Sequence, residues 1–262
     1  MKLCSIASGS SGNCIYVETE KTKLLIDSGL SGKMVAKGLE QIGTEGSQLD
    51  GILVTHDHSD HVKGVGILSR KYDIPIYANA ATWEEIKDRI GKIEQKNIKY
   101  FENKHPFEIK DFFVEPFSTS HDACDSVGFS LYGNSKKMSI ATDLGYIDSN
   151  ILEKIYGADM VILEANHDVN MLTIGPYPYF LKRRVLSDEG HLSNDSAGNA
   201  LVKLVEMGLQ RVLLAHLSRE NNFPELAYQT VYNILKDNTI DVGKDILVDV
   251  AQREKLSQLY SL

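Results

Sequence analysis

Apolar residues along the chain recur with two periods, one typical of strands and one typical of helices. Short apolar runs rich in β-branched residues predict strands at residues 2–7, 14–18, 23–27, 51–55, 75–78, 111–117, 127–132, 138–142, 159–163, 211–215 and 246–250. Helical spacing predicts helices at residues 31–42, 61–72, 82–90, 149–155, 193–207 and 224–237. Strands interspersed with helices predict an α/β fold, for which a four-layer αββα sandwich is one arrangement among several.

The bulk composition is that of an ordinary globular protein. Neither an internal repeat nor a Pro- or Ser-rich linker divides the 262 residues, so we expect a single domain over residues 1–262. We find no apolar run of transmembrane length. Cys4, Cys14 and Cys124 lack metal-site spacing, and an odd number of thiols favours a reducing, cytoplasmic location.

The net charge of −8 affects whether a nucleic acid is a plausible substrate. Proteins that bind nucleic-acid phosphates often carry a basic surface, so this average weakens a nucleic-acid interpretation. It does not exclude one, because some of the acidic residues are candidate metal ligands whose charge a bound metal offsets.

The sharpest chemical signal is a cluster of histidines and aspartates directly after the apolar strand that ends near Val54. His56 and His58 are two residues apart at a strand end, so both project to the same side and can share one metal ion. A helix that follows would bring Asp60 and His61 to a second metal ion. Imidazole suits zinc, iron and nickel, while the carboxylate widens the range to manganese.

Further candidate ligands follow other predicted strands. Any one of them could simply cap its strand, but their recurrence at strand ends favours ligands over caps. These residues are Asp27, His121, Asp143 and His216.

The ordered set of these residues resembles the five-motif pattern of the metallo-β-lactamase fold superfamily. The resemblance covers nearly the whole chain and implies the αββα sandwich with two divalent metal ions, zinc or manganese, with iron also fitting. It implies that one metal is held by His56, His58 and His121 and the other by Asp60, His61 and His216. Asp143 would bridge the two metals, and Asp27 would orient the histidine run from outside the ligand shell.

Other segments narrow the resemblance. Lactam hydrolases of this fold mostly have Cys where this chain has Asp143, which argues against lactam hydrolysis. The chain is similar to the bacterial YycJ (WalJ) group in the segments 8–14, 163–168 and 175–194. That similarity implies a DNA exonuclease directed from 5′ ends, linked to DNA repair, in which a metal-bound hydroxide attacks phosphorus. The alternative is a lactone, ester or thioester hydrolase on the same dinuclear site.

Glu164 and His191 resemble the carboxylate–histidine pair of the tRNA-processing nucleases of this fold. We predict that Glu164 orients His191, that His191 protonates the leaving group, and that Asp60 accepts a proton from the attacking water. The alternatives are a helix N-terminal cap near Ser193 for His191 and a buried structural acid for Glu164. His167 lies near this site in sequence, and we assign it no role.

Phosphate contacts are predicted for a basic run and for a Gly- and Ser-rich loop. The candidate residues are Lys182, Arg183, Arg184, Ser10 and Ser11. A solvated helix face and a plain hairpin turn are the respective alternatives. Tyr177, Tyr179 and Phe180 could stack on a base, but we expect them to pack against the protein.

Overall fold

The computed structural model describes residues 1–262, and the chain divides into two compact units. The first unit contains residues 1–118, 123–136 and 252–262, and the second contains residues 119–122 and 137–251. The strands form two mixed seven-stranded sheets flanked by helices, which confirms the predicted α/β class and αββα sandwich. The expectation of a single domain stays a prediction. None of the helices has the length and apolar composition needed to cross a membrane.

The first unit contains most of the strands. Its strands are β1 (Lys2–Ala7), β2 (Cys14–Glu18), β3 (Lys23–Ile26), β4 (Gly51–Leu53), β5 (Ile76–Ala78), β6 (Ile98–Tyr100), β7 (Phe107–Ile109), β8 (Phe112–Ser118), β9 (Val127–Gly133) and β14 (Tyr260–Ser261). Its α-helices are α1 (Gly32–Gln41), α2 (Ser59–Val62), α3 (Val65–Tyr72) and α4 (Ala80–Ile86).

One complete sheet lies in the first unit, with the strand order β14-β1-β2-β3-β4-β5-β6. Strands β1 to β3 are antiparallel, whereas β3 to β6 are parallel neighbours whose carboxyl ends share one edge. At that edge the amide of Asp27 donates to the carbonyl of Leu53 at 2.8 Å. The two loops that leave β3 and β4 are therefore fastened together at their first residues.

An apolar core holds the helices of the first unit against its sheet. Val35 and Leu39 of α1, Leu68 of α3 and Ile86 of α4 are all fully buried in one cluster with the strand residue Ile52. Burial of this apolar surface is the main favourable contribution to the stability of the unit. The loops at the sheet edge are thus supported by a rigid, packed layer.

The second unit is built on parallel pairing. Its strands are β10 (Lys136–Ala141, from Lys137 onward), β11 (Met160–Glu164), β12 (Arg211–Ala215) and β13 (Leu247–Val250). Its helices are α5 (Ser149–Ile155), α6 (Val169–Ile174), α7 (Tyr179–Val185), α8 (Asn194–Glu206) and α9 (Pro224–Asp237). All neighbouring pairs from β10 to β13 are parallel, and β11 is buried along its whole length. Near-continuous apolar runs are expected for such strands, because both faces are covered.

The structure differs from the sequence-based elements in a few places. The helix predicted at residues 61–72 is two helices, because the amide of Gly64 donates to the carbonyl of Ser28 at 2.7 Å instead of continuing the helical pattern. The short strands β6, β7 and β14 and the helices α6 and α7 were not predicted.

Candidate metal centre

The histidine–aspartate run of the first unit follows β4 and enters α2. His58 is the residue that precedes the first turn of α2, and Asp60 and His61 lie within that turn. The ring of His56 lies 4.8 Å from that of His58 and 4.0 Å from that of His61, measured between centroids. The structure thus brings the predicted ligands of this run together at the carboxyl end of β4.

Asp27 and Thr55 orient two of these histidines. Asp27 accepts hydrogen bonds from the amide of Thr55 at 2.9 Å and from its hydroxyl at 2.8 Å, while the second oxygen also lies 2.7 Å from Nδ1 of His61. The Thr55 hydroxyl lies 2.9 Å from Nδ1 of His56. Since a carboxylate can only accept, Nδ1 of His61 carries the proton in the neutral ring. Nε2 is then the nitrogen that can bind a metal in both rings.

The Gly- and Ser-rich loop packs against the same run through Asn13. The Asn13 side-chain nitrogen lies 3.0 Å from Nε2 of His61 and 3.3 Å from a carboxylate oxygen of Asp60. Its side-chain oxygen accepts from the amide of Gly9 at 2.8 Å. Ser10 and Ser11 are exposed at the tip of this loop. Neither Asn13 nor Thr55 has a predicted role, although Asn13 lies in the Gly- and Ser-rich loop and Thr55 directly precedes the histidine–aspartate run.

Gly29 lets the loop and α2 come close. Its amide donates to the carbonyl of Asn13, and the amide of Asn13 donates to the carbonyl of Asp60, both at 2.8 Å. A Cβ atom on Gly29 would lie 1.6 Å from the Asp60 carbonyl oxygen, which no side chain could tolerate. Glycine is therefore required at this position for the approach of the three backbone segments.

In the second unit, Asp143 and His216 follow β10 and β12, and His121 lies in the short segment 119–122. Nε2 of His121 lies 3.6 Å from Oδ1 of Asp143, and Nδ1 of His216 lies 3.4 Å from the same oxygen. Asp143 and His216 both have φ of 57°, as Asp27 of the first unit has φ of 60°. Left-handed backbone is uncommon for residues other than glycine and tends to occur at functional sites.

Glu164 is the organising acid of the second unit. Oε1 lies 2.7 Å from Nδ1 of His216 and 2.9 Å from Nδ1 of His191. Oε2 accepts from the amides of Leu192 at 3.0 Å and Leu144 at 3.2 Å. Burial raises the pKa of this carboxyl, but His191 and His216 outweigh burial and hold the pKa well below its ordinary value. Glu164 is fully buried, so it acts on any substrate only through the two histidines.

Five histidines share one arrangement, in which Nδ1 is held by a neighbouring group. Nδ1 of His121 donates to the carbonyl of Gly190 at 3.0 Å, as Nδ1 of His56, His61, His191 and His216 is held by a hydroxyl or a carboxylate. Burial lowers the pKa of His121, which favours the neutral ring that a metal needs. Imidazole nitrogens and carboxylate oxygens together suit zinc, manganese or iron, so the donor chemistry of each unit fits a divalent metal.

His167 is buried beside this cluster. It pairs with Ser193 in an isolated parallel bridge, and its carbonyl accepts from the amide of Asn194 at 2.9 Å. Neither ring nitrogen has a hydrogen-bond partner, and burial lowers the pKa of the ring to about 4.

The basic run lies on α7, and its three residues have different surroundings. Lys182 donates to the carbonyl of Thr173 at 2.7 Å, Arg184 forms an ion pair with Asp122, and Arg183 is exposed. The expectation that the nearby aromatic residues pack is wrong for Tyr179 and Phe180, which are 76% and 73% exposed. The buried residue of α7 is Val185 at its other end, and of the three aromatic residues only Tyr177 is half-buried.

Comparison with known proteins assigns this chain to a family. A model of the beta-lactamase superfamily domain matches residues 22–217. The chain is 41% identical over 239 residues to Exodeoxyribonuclease YycJ of Bacillus anthracis, covering 91% of this chain and 90% of that protein. It is also 41% identical over 249 residues to Exodeoxyribonuclease WalJ of Streptococcus pneumoniae strain D39, covering 94% and 93%.

The fold is shared with a solved structure of much lower sequence similarity. The metallo-beta-lactamase fold protein YhfI from Bacillus subtilis superposes with a TM-score of 0.73 at 17% identity, covering 98% of this chain and 99% of that chain. The chain therefore belongs to the β-lactamase superfamily and is a hydrolase with the metallo-β-lactamase fold.

Proposed function

We propose that this protein is a metal-dependent phosphodiesterase that degrades DNA from 5′ ends and acts in DNA repair. The observation that carries the proposal is the Glu164–His191 pair, in which a buried carboxylate holds a half-exposed imidazole at 2.9 Å. The 41% identity to proteins named exodeoxyribonucleases, over more than nine tenths of the chain, supports a DNA substrate.

The proposed metal ligands are the histidines and aspartates that the sequence pattern indicates. His56, His58 and His121 would hold one divalent ion, Asp60, His61 and His216 would hold the other, and Asp143 would serve both. Each unit offers imidazoles fixed through Nδ1, which supports this assignment. When bound, two such ions lower the pKa of a water molecule and offset the charge on phosphoryl oxygens.

The side chains of the protein perform the proton transfers in this proposal. Asp60 accepts the proton that the attacking water loses. His191 donates a proton from its ring to the departing oxygen, so that the product leaves as an alcohol. Glu164 stabilises the protonated ring of His191 before transfer and keeps it in one orientation, because Oε1 accepts from Nδ1.

Substrate contacts are proposed for polar side chains in each of the two units. Arg183 of α7 is exposed, and an arginine can hold a phosphate through two parallel hydrogen bonds. Lys182 and Arg184 would add positive charge nearby. Ser10 and Ser11 would contact phosphate from the exposed loop tip of the first unit. The three basic residues lie together on α7 in a protein whose net charge is −8.

End-labelled DNA tests the proposal. The purified protein is incubated with Mn²⁺ or Zn²⁺ and duplexes that carry a 5′-phosphate and a label at either end. The Asp60→Ala variant and a matched control, Asp237→Ala at the exposed end of α9, run beside it. We expect metal-dependent shortening from the 5′ end by the wild type and by the control but not by Asp60→Ala.

A second assay separates the proposal from the ester-hydrolase alternative. Turnover of bis-(p-nitrophenyl) phosphate without turnover of a p-nitrophenyl ester supports a phosphodiesterase. Ester turnover alone, together with intact DNA in the first assay, would refute the proposed function.

A further inference from the structure

The segment of residues 169–186, from the start of α6 to the residue after α7, exposes several large apolar side chains. Its large side chains that face solvent are Val169, Ile174, Tyr179, Phe180 and Leu186. Contiguous exposed apolar patches mark interaction sites, whereas single scattered apolar residues are ordinary. Tyr179 and Phe180 are adjacent and are among the most exposed of these residues.

The local backbone fixes where these two rings stand. Pro178 precedes the first turn of α7 with φ of −58°, so the backbone that leads into Tyr179 is restricted before any ligand binds. Val185, near the end of the helix, is buried and holds α7 on the unit. The rings therefore project from an anchored helix rather than from a loose loop.

A cation stands beside the aromatic pair. Arg183 follows Tyr179 by four residues and so shares its helix face, with the guanidinium carbon 6.0 Å from the ring centroid. Two exposed π faces next to an exposed guanidinium form the arrangement that binds bases and phosphates of a single strand together.

The aromatic pair is linked to the candidate metal centre within the second unit. The carbonyl of Val185 accepts from the amide of His191 at 3.0 Å. Arg184, one residue from Arg183, forms an ion pair with Asp122, which is the neighbour of His121. A DNA strand bound to α7 would thus be bound by the same short segment that positions His191, the proposed proton donor.

We propose that Tyr179 and Phe180, with Arg183, form a stacking platform for unpaired bases at the end of a DNA substrate. The inference rests on the proposed function and adds a preference to it: an end with a single-stranded overhang binds better than a blunt end. A second copy of the chain is a less suitable occupant, since a twofold contact through this surface would bring two basic runs against each other.

Fluorescent DNA tests the platform. A duplex with a 5′ overhang carries 2-aminopurine at unpaired positions, and binding is followed with Mn²⁺ in the Asp60→Ala background so that the DNA is not cut. We expect quenching of the fluorophore on binding, since stacking quenches 2-aminopurine. The Tyr179→Ala/Phe180→Ala variant should lose the quenching and bind the overhang about tenfold or more weakly.

Matched variants separate stacking from other effects. Tyr179→Phe keeps the ring and should retain the quenching, and Tyr156→Ala removes an exposed tyrosine at the end of α5 and should bind like the background protein. In the otherwise wild-type protein, the double variant should retain as much Mn²⁺ as the wild type, because neither residue is a proposed metal ligand.

The outcomes distinguish failure of the platform from failure of the proposed function. Equal quenching and equal affinity in the double variant would overturn the platform while leaving the nuclease intact. A concentration-dependent dimer in sedimentation that the double variant abolishes would also overturn it, by assigning the surface to self-association. DNA that is neither bound nor cut by the protein with wild-type Asp60 would overturn the proposed function and the platform with it.

Discussion

Oε1 of Glu164 lies 2.9 Å from Nδ1 of His191, while the other oxygen accepts two backbone amides. Both oxygens of this carboxylate therefore already accept hydrogen bonds from donors of the protein. A buried acid in this position cannot be replaced by an amide without conflict, because the amide nitrogen is itself a donor.

Glu164→Gln should destabilise the protein. In either orientation the new amide nitrogen faces a donor, either a backbone N–H or the imidazoles that Oε1 now contacts. We expect the free energy of unfolding in urea to fall by about 1–3 kcal/mol. Glu206→Gln at the exposed end of α8 serves as the control and should be unchanged. If the unfolding curves of both variants coincide with that of the wild type, the hydrogen bonds to Glu164 do not contribute to stability.

Thr55→Val should weaken metal binding while the fold is retained. Valine has nearly the shape of threonine but lacks the hydroxyl that contacts Asp27 at 2.8 Å and Nδ1 of His56 at 2.9 Å. Loss of such a supporting contact lowers metal affinity by about 10–100-fold. Metal content after dialysis against graded chelator measures the effect by mass spectrometry.

Two other threonine substitutions serve as controls. Thr55→Ser keeps the hydroxyl and should keep the metal. Thr230→Val, on the half-buried side of α9, should have no effect on metal content. Normal metal retention by Thr55→Val would assign the orientation of His56 to packing alone.

His167 should make stability depend on pH. Burial lowers the pKa of the ring to about 4 from an ordinary 6.5, so the unfolded chain binds a proton that the folded chain refuses as pH falls through 6.5. This difference does not affect the free energy of unfolding well above pH 6.5. Below that pH it lowers the free energy of unfolding, and the loss reaches its limit near pH 4. Between pH 7.5 and pH 5 the loss should be about 2 kcal/mol.

His167→Phe isolates this contribution from the other titrating groups. Because neither ring nitrogen has a hydrogen-bond partner, phenylalanine loses no polar contact. We expect the variant to match the wild type at neutral pH within about 1 kcal/mol and to lose less stability on acidification. Parallel urea midpoints for the two proteins across this pH range would contradict the assignment.

Gly29→Ala should disrupt the entrance to α2. The new methyl group would lie 1.6 Å from the Asp60 carbonyl oxygen, so the backbone that carries Asp60 must move. Such overpacking against backbone should cost about 3 kcal/mol or more and reduce metal binding. Gly243→Ala has open space around the added atom and only an unfavourable φ, so it should cost about 1 kcal/mol. Equal thermal stability of the two variants would refute the close approach.

The sequence predicted the framework of the metal centre because ligand chemistry is local. β1, β2 and β12 have the predicted bounds, and Ser193 accepts from the amide of Ser196 as a cap of α8. A residue that follows a strand end can be read from one stretch of sequence. The histidine–aspartate run and Asp143 were accessible to this reasoning.

Features that depend on contacts between distant segments were not predictable in this way. The role of Asn13 depends on a backbone approach across forty-seven positions to Asp60, which no local pattern encodes. Helices α6 and α7 are short and are separated by Gly175, Pro176 and Pro178, so no helical period develops. The exposure of Tyr179 and Phe180 follows from the placement of α7 and not from their residue type.

The left-handed backbone at Asp27, Asp143 and His216 also decides which inactive variants will be useful. Alanine at these positions removes the side chain chemistry and adds a conformational penalty, whereas asparagine tolerates positive φ better than most residues. Among variants substituted at these positions, those with β-branched residues should therefore be the least stable, whether or not metal is supplied. Asp143→Asn is the replacement whose lost turnover can be attributed to a missing charge and not to a distorted chain, whereas the amide of Asp27→Asn would face the donors of Thr55 and His61.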